Sequence, residues 1–235
     1  MGKLLHTEWY KLFHDKVFFI TLTAVFVFNA FIFAGFSFLN MPGQKALLEV
    51  MKKEIFTAMV SCIYGGLFIG GDFADRTLYH ALMTGKSRTS VLFAKSIVFA
   101  AATDGLLFFF PFVLVAVCTA KNGWCVSGEK VYHIIGMIAA LLIIGFAMSA
   151  VSMLAAVCFR DVGRTIGVPI ILYFIMILLL NSPCSPAFSK ILPVGVIIKV
   201  TDGTVSAAYG ALIGIMWLVL MTAISAMIFR RAELR

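Results

Sequence analysis

The sequence predicts an all-α fold that threads a membrane several times, and three observations predict it. Of the 235 residues, 62% are apolar and only 13% are charged, whereas soluble globular chains run near 45–50% apolar with about a quarter charged. Mean hydropathy is +1.03. The apolar residues gather into six uncharged runs near the length of about 20 residues that a bilayer helix needs. Six spans would use roughly 120 residues, which leaves no loop able to hold a catalytic domain. Residues 1–235 therefore read as a single transmembrane domain with no enzymatic activity of its own.

The first element lies between Lys3 and Lys16, where Leu5, Trp9, Leu12 and Phe13 recur at helical spacing with Lys3, Glu8, Lys11 and Asp15 interleaved. This pattern fits an amphipathic helix lying in the interface, or else an extension of the first span. The six runs are residues 17–39, 55–71, 97–119, 134–159, 166–181 and 207–229. The first exceeds the 7–15 residues of a signal-peptide core, so it is expected to stay in the mature protein. Three Gly-x-x-x-Gly pairs, Gly66 with Gly70, Gly163 with Gly167 and Gly210 with Gly214, allow close helix approach in lipid. The partner helix is either in the same chain or in another copy. Between the last two runs, residues 182–206 carry Pro183, Pro186 and Pro193 around an apolar stretch at 191–198. Eight residues cannot cross, so this is expected to be a re-entrant or interfacial piece on the outer face. It either gates an exit path or rests on the bilayer.

The formal charge of +8 is carried in the loops, and no nucleic-acid fold signature accompanies it. No nucleic-acid partner is expected. Lys and Arg counted beside the spans set orientation. With the N-terminus inside, twelve cations fall on the cytoplasmic side and seven outside, and all seven arginines are among the twelve. Both termini are expected to be cytoplasmic.

Residues that could carry chemistry are few. Thr84-Gly85-Lys86-Ser87 imitates the end of a phosphate-binding loop, but the glycine that such a loop needs five residues before Gly85 is His80. His6, His14, His80 and His133 lack metal-ligand spacing, and the five cysteines contain no Cys-x-x-Cys pair, so no metal is expected. Cys125 and Cys184 both fall on the outer side, where a disulfide is conceivable. Asp104 is the one acid inside a span, and a charge at the bilayer centre costs about 2.5–3.5 kcal/mol on insertion scales. It is either a proton or substrate site, or a structural acid that pairs with another helix, for example with Asn29.

The segment joining the second and third spans is the most informative. Thr77 can cap a short helix whose Leu78, Leu82 and Met83 form an apolar ridge, and Gly85 supplies a stop. Together with the helix ending Lys11-Leu12-Phe13, the run Asp75-Arg76-Thr77-Leu78 through Leu82, Thr84-Gly85, Ser87-Arg88 and Lys95, and the proline-bearing outer segment, the chain resembles the permease subunits of type 2 ABC transporters. That resemblance covers the whole chain in topology and is residue-specific only in this loop. A proline often follows the equivalent helix in that family, where this chain has Gly85-Lys86.

The resemblance implies a coupling helix over residues 77–83 that docks in a groove of an ATPase subunit, with Asp72, Asp75, Arg76 and Arg88 as polar contacts. It implies an exporter of an amphipathic or hydrophobic solute (peptide, antibiotic or lipid-like) in a bacterial cytoplasmic membrane. A second permease copy or paralogue would complete a homodimer or heterodimer. ATP and Mg would sit in the ATPase subunit, with no cofactor in this chain. Two other classes stand beside this one: a proton-coupled secondary transporter using Asp104, for which the two halves show no internal repeat, and a non-transporting assembly or immunity protein.

Overall fold

The computed structural model describes residues 2–34, 40–53, 59, 62–75, 77, 83, 85–124, 131–183 and 185–231. Among these the regular structure is helical, with no strand. Five helices are long and apolar enough to cross a membrane. Of the second expected span, residues 55–58 and 60–61 lie outside the described residues.

Helix α1 (Gly2–His14) stops at Asp15, whose carboxylate accepts the Val17 N–H at 2.9 Å and so opens α2 (Lys16–Ala34). Capping by an acid satisfies an orphan donor and suits the helix dipole. Along α2 only the stripe Thr21, Val25, Asn29 and Phe33 is buried. Its spacing of four residues places it on one face, and that face meets the next long helix, at residues 88–122, where Phe33 stacks on Phe110.

The stretch after the first span is not a plain loop. It forms α3 (Gly43–Lys53), which buries Ala46, Leu47, Val50 and Met51. Its first N–H groups are satisfied from elsewhere: Gly43 donates to the Gly123 carbonyl and Gln44 to that of Trp124, both at 3.1 Å. Helix α4 (Cys62–Ala74) contains a π turn at Gly66–Gly70, closed by the Gly71 N–H on the Gly66 carbonyl. One inserted residue rotates the remainder of the helix by roughly 100°, and Asp72 lies directly beyond the turn.

Helix α5 (Arg88–Asn122) is 35 residues long, and it begins well before the run expected at residue 97. The cause is Ser87, whose hydroxyl accepts the Ser90 N–H at 3.3 Å and caps the N-terminus. Helix α6 (Val131–Phe159) passes through Arg160, at φ 53°, into α7 (Val162–Leu180). Asp161 caps α7 by accepting the Arg164 N–H at 2.9 Å, so α7 also starts earlier than its uncharged run.

The proline-bearing segment is a helical hairpin, α8 (Ser185–Ile191) and α9 (Pro193–Thr201), followed by α10 (Ala207–Arg231). Leu192, Val194, Val196 and Val200 are buried in the same core as Met137, Ile144 and Ile213. The hairpin is thus packed into the bundle end. Side chains of α10 hold it there: Trp217 Nε1–H donates to the Ile191 carbonyl at 2.9 Å and the Tyr209 hydroxyl to that of Lys190 at 3.2 Å. These are carbonyls that the end of α8 leaves without helical donors.

Two of the three glycine pairs seat helices of this same chain. A Cβ on Gly66 would overlap the Ile166 side chain, and one on Gly70 would lie 3.1 Å from Val162 Cα, so α4 rests on α7. Gly210 and Gly214 bring α10 onto α9 and α6, with a Cβ 2.7 Å from Val200 Cγ2 and 2.9 Å from Ile143 Cγ2. Gly163 and Gly167 make no comparable contact: a Cβ on Gly163 would meet only Asp161, at 3.4 Å, and Gly167 faces open space. Three apolar clusters are found among the described residues, one around α1, α4 and the start of α5, one around α3, α9 and the first half of α6, and a small one joining Phe33, Val50 and Phe110.

Candidate functional site

Four charged side chains meet at the α1 end of the bundle. Leu4, Glu8 and Leu12 fall on one helical stripe, and Leu4 and Leu12 are buried, so Glu8 is carried inward with them. It accepts from Lys95 Nζ of α5 at 3.1 Å. Lys95 is also paired with Asp72, just past the π turn of α4, and Asp72 is paired in turn with Lys11 of α1. The Thr77 hydroxyl donates to Asp72 Oδ1 at 2.8 Å. One chain of contacts therefore runs from α1 through α5 and α4 to the segment beginning at Thr77.

Lys95 is only 1% exposed. Its ammonium sits 4.5 Å from the centre of the Phe68 ring, and Phe68 stacks on Tyr64 and Phe99. Two ammonium groups and two carboxylates cancel in formal charge. Desolvating them costs several kcal/mol per ion, recovered only with good geometry, so such a cluster gives specificity of position more than net stability.

Burial opposes the ionised form of Asp72, but attraction from Lys95 and the hydrogen bonds from Lys11 and Lys95 outweigh it. The carboxyl is held below the ordinary carboxylate range. A group depressed in the folded state contributes stability that is complete above its unfolded value near ~3.9 and disappears as pH falls through its folded value. The thermal midpoint of the native chain minus that of Asp72→Asn is therefore expected to hold steady from about pH 7 to about pH 5 and to shrink below about pH 4. A difference unchanged in acid would show that the cluster is not ionic.

The residues expected on the coupling segment separate into three sets. Asp72, expected as an outward contact, is turned inward and its carboxylate is engaged by Lys11 and Lys95. Asp75, Thr77 and Met83 are exposed, Met83 to 83%, while Arg88 donates to the Arg230 carbonyl at 3.4 Å. Arg76, Leu78 and Leu82 lie outside the described residues. Gly85 has φ +80°, the left-handed conformation that a glycine stop supplies.

Glu8, Lys11 and Lys95 were not among the expected site residues. The signals were present: Glu8 shares a stripe with Leu4 and Leu12, and Lys95 interrupts an apolar stretch between Val91 and Ala102. Charge counting for orientation absorbed Lys95 as a loop cation.

Asp104 and Asn29 are both buried, at 5% and 2% exposure, but the hydrogen bond expected between them is not formed. Neither Asp104 oxygen has a hydrogen-bond partner among the described residues. Cys62 and Cys118 are buried and Cys158 is exposed, the Cys62 sulfur accepts from the Ser152 hydroxyl at 3.6 Å, and Cys125 and Cys184 lie outside the described residues. Among the described residues no group of His, Cys, Asp and Glu could hold a metal.

Five long apolar helices packed around apolar cores define the class: an all-α integral membrane protein. No protein-family model matches the chain, and no curated protein matches it.

Proposed function

We propose that the chain is the transmembrane subunit of an ATP-driven exporter that moves an amphipathic or hydrophobic solute across a bacterial cytoplasmic membrane. It works with a second copy or a related chain and with separate ATPase subunits that bind ATP and Mg. The observation that carries this reading is the contact chain Glu8–Lys95–Asp72–Thr77. In it, the N-terminal helix, the second and third spans and the start of the coupling segment share one ion cluster. A push delivered to residues 77–83 from the cytoplasm would reach all three at once, which is how a docked ATPase could move helices without touching them. On this reading α1 lies in the cytoplasmic interface and both termini are cytoplasmic.

The test is complex formation. Leu82→Glu is expected to abolish binding of the cognate ATPase in detergent while membrane insertion stays normal, because a charge on the apolar ridge must be desolvated to enter a groove. A normal complex would remove the coupling assignment, as would labelling of residues 72–95 by a membrane-impermeant reagent from outside intact cells.

Asp104, buried and without a hydrogen-bond partner among the described residues, supports a second reading, a transporter driven by protons. Asp104→Asn separates the two: transport survives in an ATP-driven exporter and stops in a proton-driven one.

A further inference from the structure

We infer that Asp104 is a proton-binding site inside the bundle, holding its proton while α5 and α6 are packed together and exchanging it only where they part over Gly145. The site is built by a missing side chain. A Cβ on Gly145 would overlap the Asp104 carboxyl, so the acid occupies the slot that this glycine leaves on α6. It is 5% exposed, and neither oxygen finds a hydrogen-bond partner among the described residues.

Among the described residues no ion pair reaches Asp104 from the neighbouring helices. Helix α6 has no ionisable side chain between His133 and Cys158, α2 has none after Lys16, and α10 has none between Tyr209 and Arg230. Helix α4 offers Cys62, Tyr64 and Asp72, and α3 offers Lys45, Glu49, Lys52 and Lys53, of which Lys52 binds Glu49 and Asp202 and Lys53 lies over the Phe33 ring at 5.5 Å. On α5 itself the nearest cation is Lys95, nine residues away and engaged by Glu8 and Asp72. A buried carboxylate with neither a donor nor an opposite charge takes up a proton in preference to staying ionised. Acids placed this way inside spans are expensive to keep unless they are used.

Release needs water, which would enter over Gly145 once the apolar side chains on either side of it, Leu107 and Phe108 of α5 and Leu141, Ile144 and Met148 of α6, which share one core, move apart. A motion that separates α5 from α6 would therefore expose the acid, and repacking would return it to the neutral form. This inference stands apart from the source of energy for transport, because an ATP-driven or a proton-driven bundle could use the same site.

The experiment uses the full chain in lipid bilayers at neutral pH with dicyclohexylcarbodiimide, an apolar reagent that reacts with neutral acids. The acid O–H adds across one C=N bond: the carboxyl oxygen bonds to the central carbon, the proton goes to nitrogen, and the acyl group then shifts to nitrogen with nothing leaving. Mass mapping is expected to place the adduct on Asp104. The infrared difference between the native chain and Asp104→Asn is expected to show the C=O stretch of a neutral acid. Its deuterium exchange should be slower in the native chain than in Gly145→Ala, where the added methyl displaces the carboxyl. An unmodified Asp104, or a difference spectrum showing an ionised carboxylate, would overturn the proton site, and equal exchange rates would overturn the seam. The mapping needs only the native chain, so it decides even if Asp104→Asn fails to fold.

Discussion

Replacing Lys95 by methionine is expected to destabilise the chain by about 3–5 kcal/mol, the cost of leaving buried carboxylates without their cation. Methionine keeps much of the length and apolar bulk of lysine, so the loss reports charge more than volume. Lys95 is 1% exposed and pairs with both Glu8 and Asp72, and Lys11 alone would then face two acids. The expected readings are a lowered melting midpoint in detergent and protease cleavage within α1, which loses its anchor on α5. Adding Asp72→Asn to Lys95→Met should recover part of the loss, since one stranded charge is removed with its partner. A single variant as stable as the native chain would mean that the four charges are incidental.

Gly195→Ala is the second large effect. A Cβ there would lie 2.6 Å from Ser189 Cα and 2.8 Å from both the Ser189 carbonyl oxygen and Leu180 Cδ2. Two of these atoms are backbone, so no rotamer change relieves the overlap, and α8 and α9 must move apart. Overpacking of this kind costs about 1–3 kcal/mol, and a backbone obstacle places it at the upper end. The expected outcome is a lower melting midpoint together with faster tryptic cleavage after Lys190. Gly105→Ala is the control: nothing lies within 4 Å of a Cβ at that helical position, so it should be neutral or mildly stabilising. Equal effects at the two sites would show that the hairpin is not tightly seated.

Much of the architecture was legible because lipid leaves little choice. A run such as residues 207–229 must be a helix to satisfy its backbone, and α10 covers it. Boundaries were less legible where a polar cap reaches past the apolar run, as Ser87 does for α5 and Asp161 for α7. Helix α3 escaped notice because its apolar face is only eleven residues long and amphipathic, too short and too polar to register as a span. The hairpin at residues 185–201 was visible as proline-broken apolar sequence, but its burial depends on α10 carrying Trp217 and Tyr209 at the right height. The ion cluster was the hardest to see. Its members lie at positions 8, 11, 72 and 95, each ordinary on its own, and a π turn that no residue pattern announces brings Asp72 to Lys95.

The 35 residues of α5 amount to about 52 Å at 1.5 Å per residue, against a hydrocarbon thickness of about 30 Å. Some four turns are therefore surplus to crossing, and they carry Lys95 at one end while the other end ties to α3. A helix of that length behaves as a lever arm hinged at Pro111, which lies inside it and removes one backbone hydrogen bond: a tilt imposed at Ser87 is passed on to Asn122 on the opposite face through that single weak point.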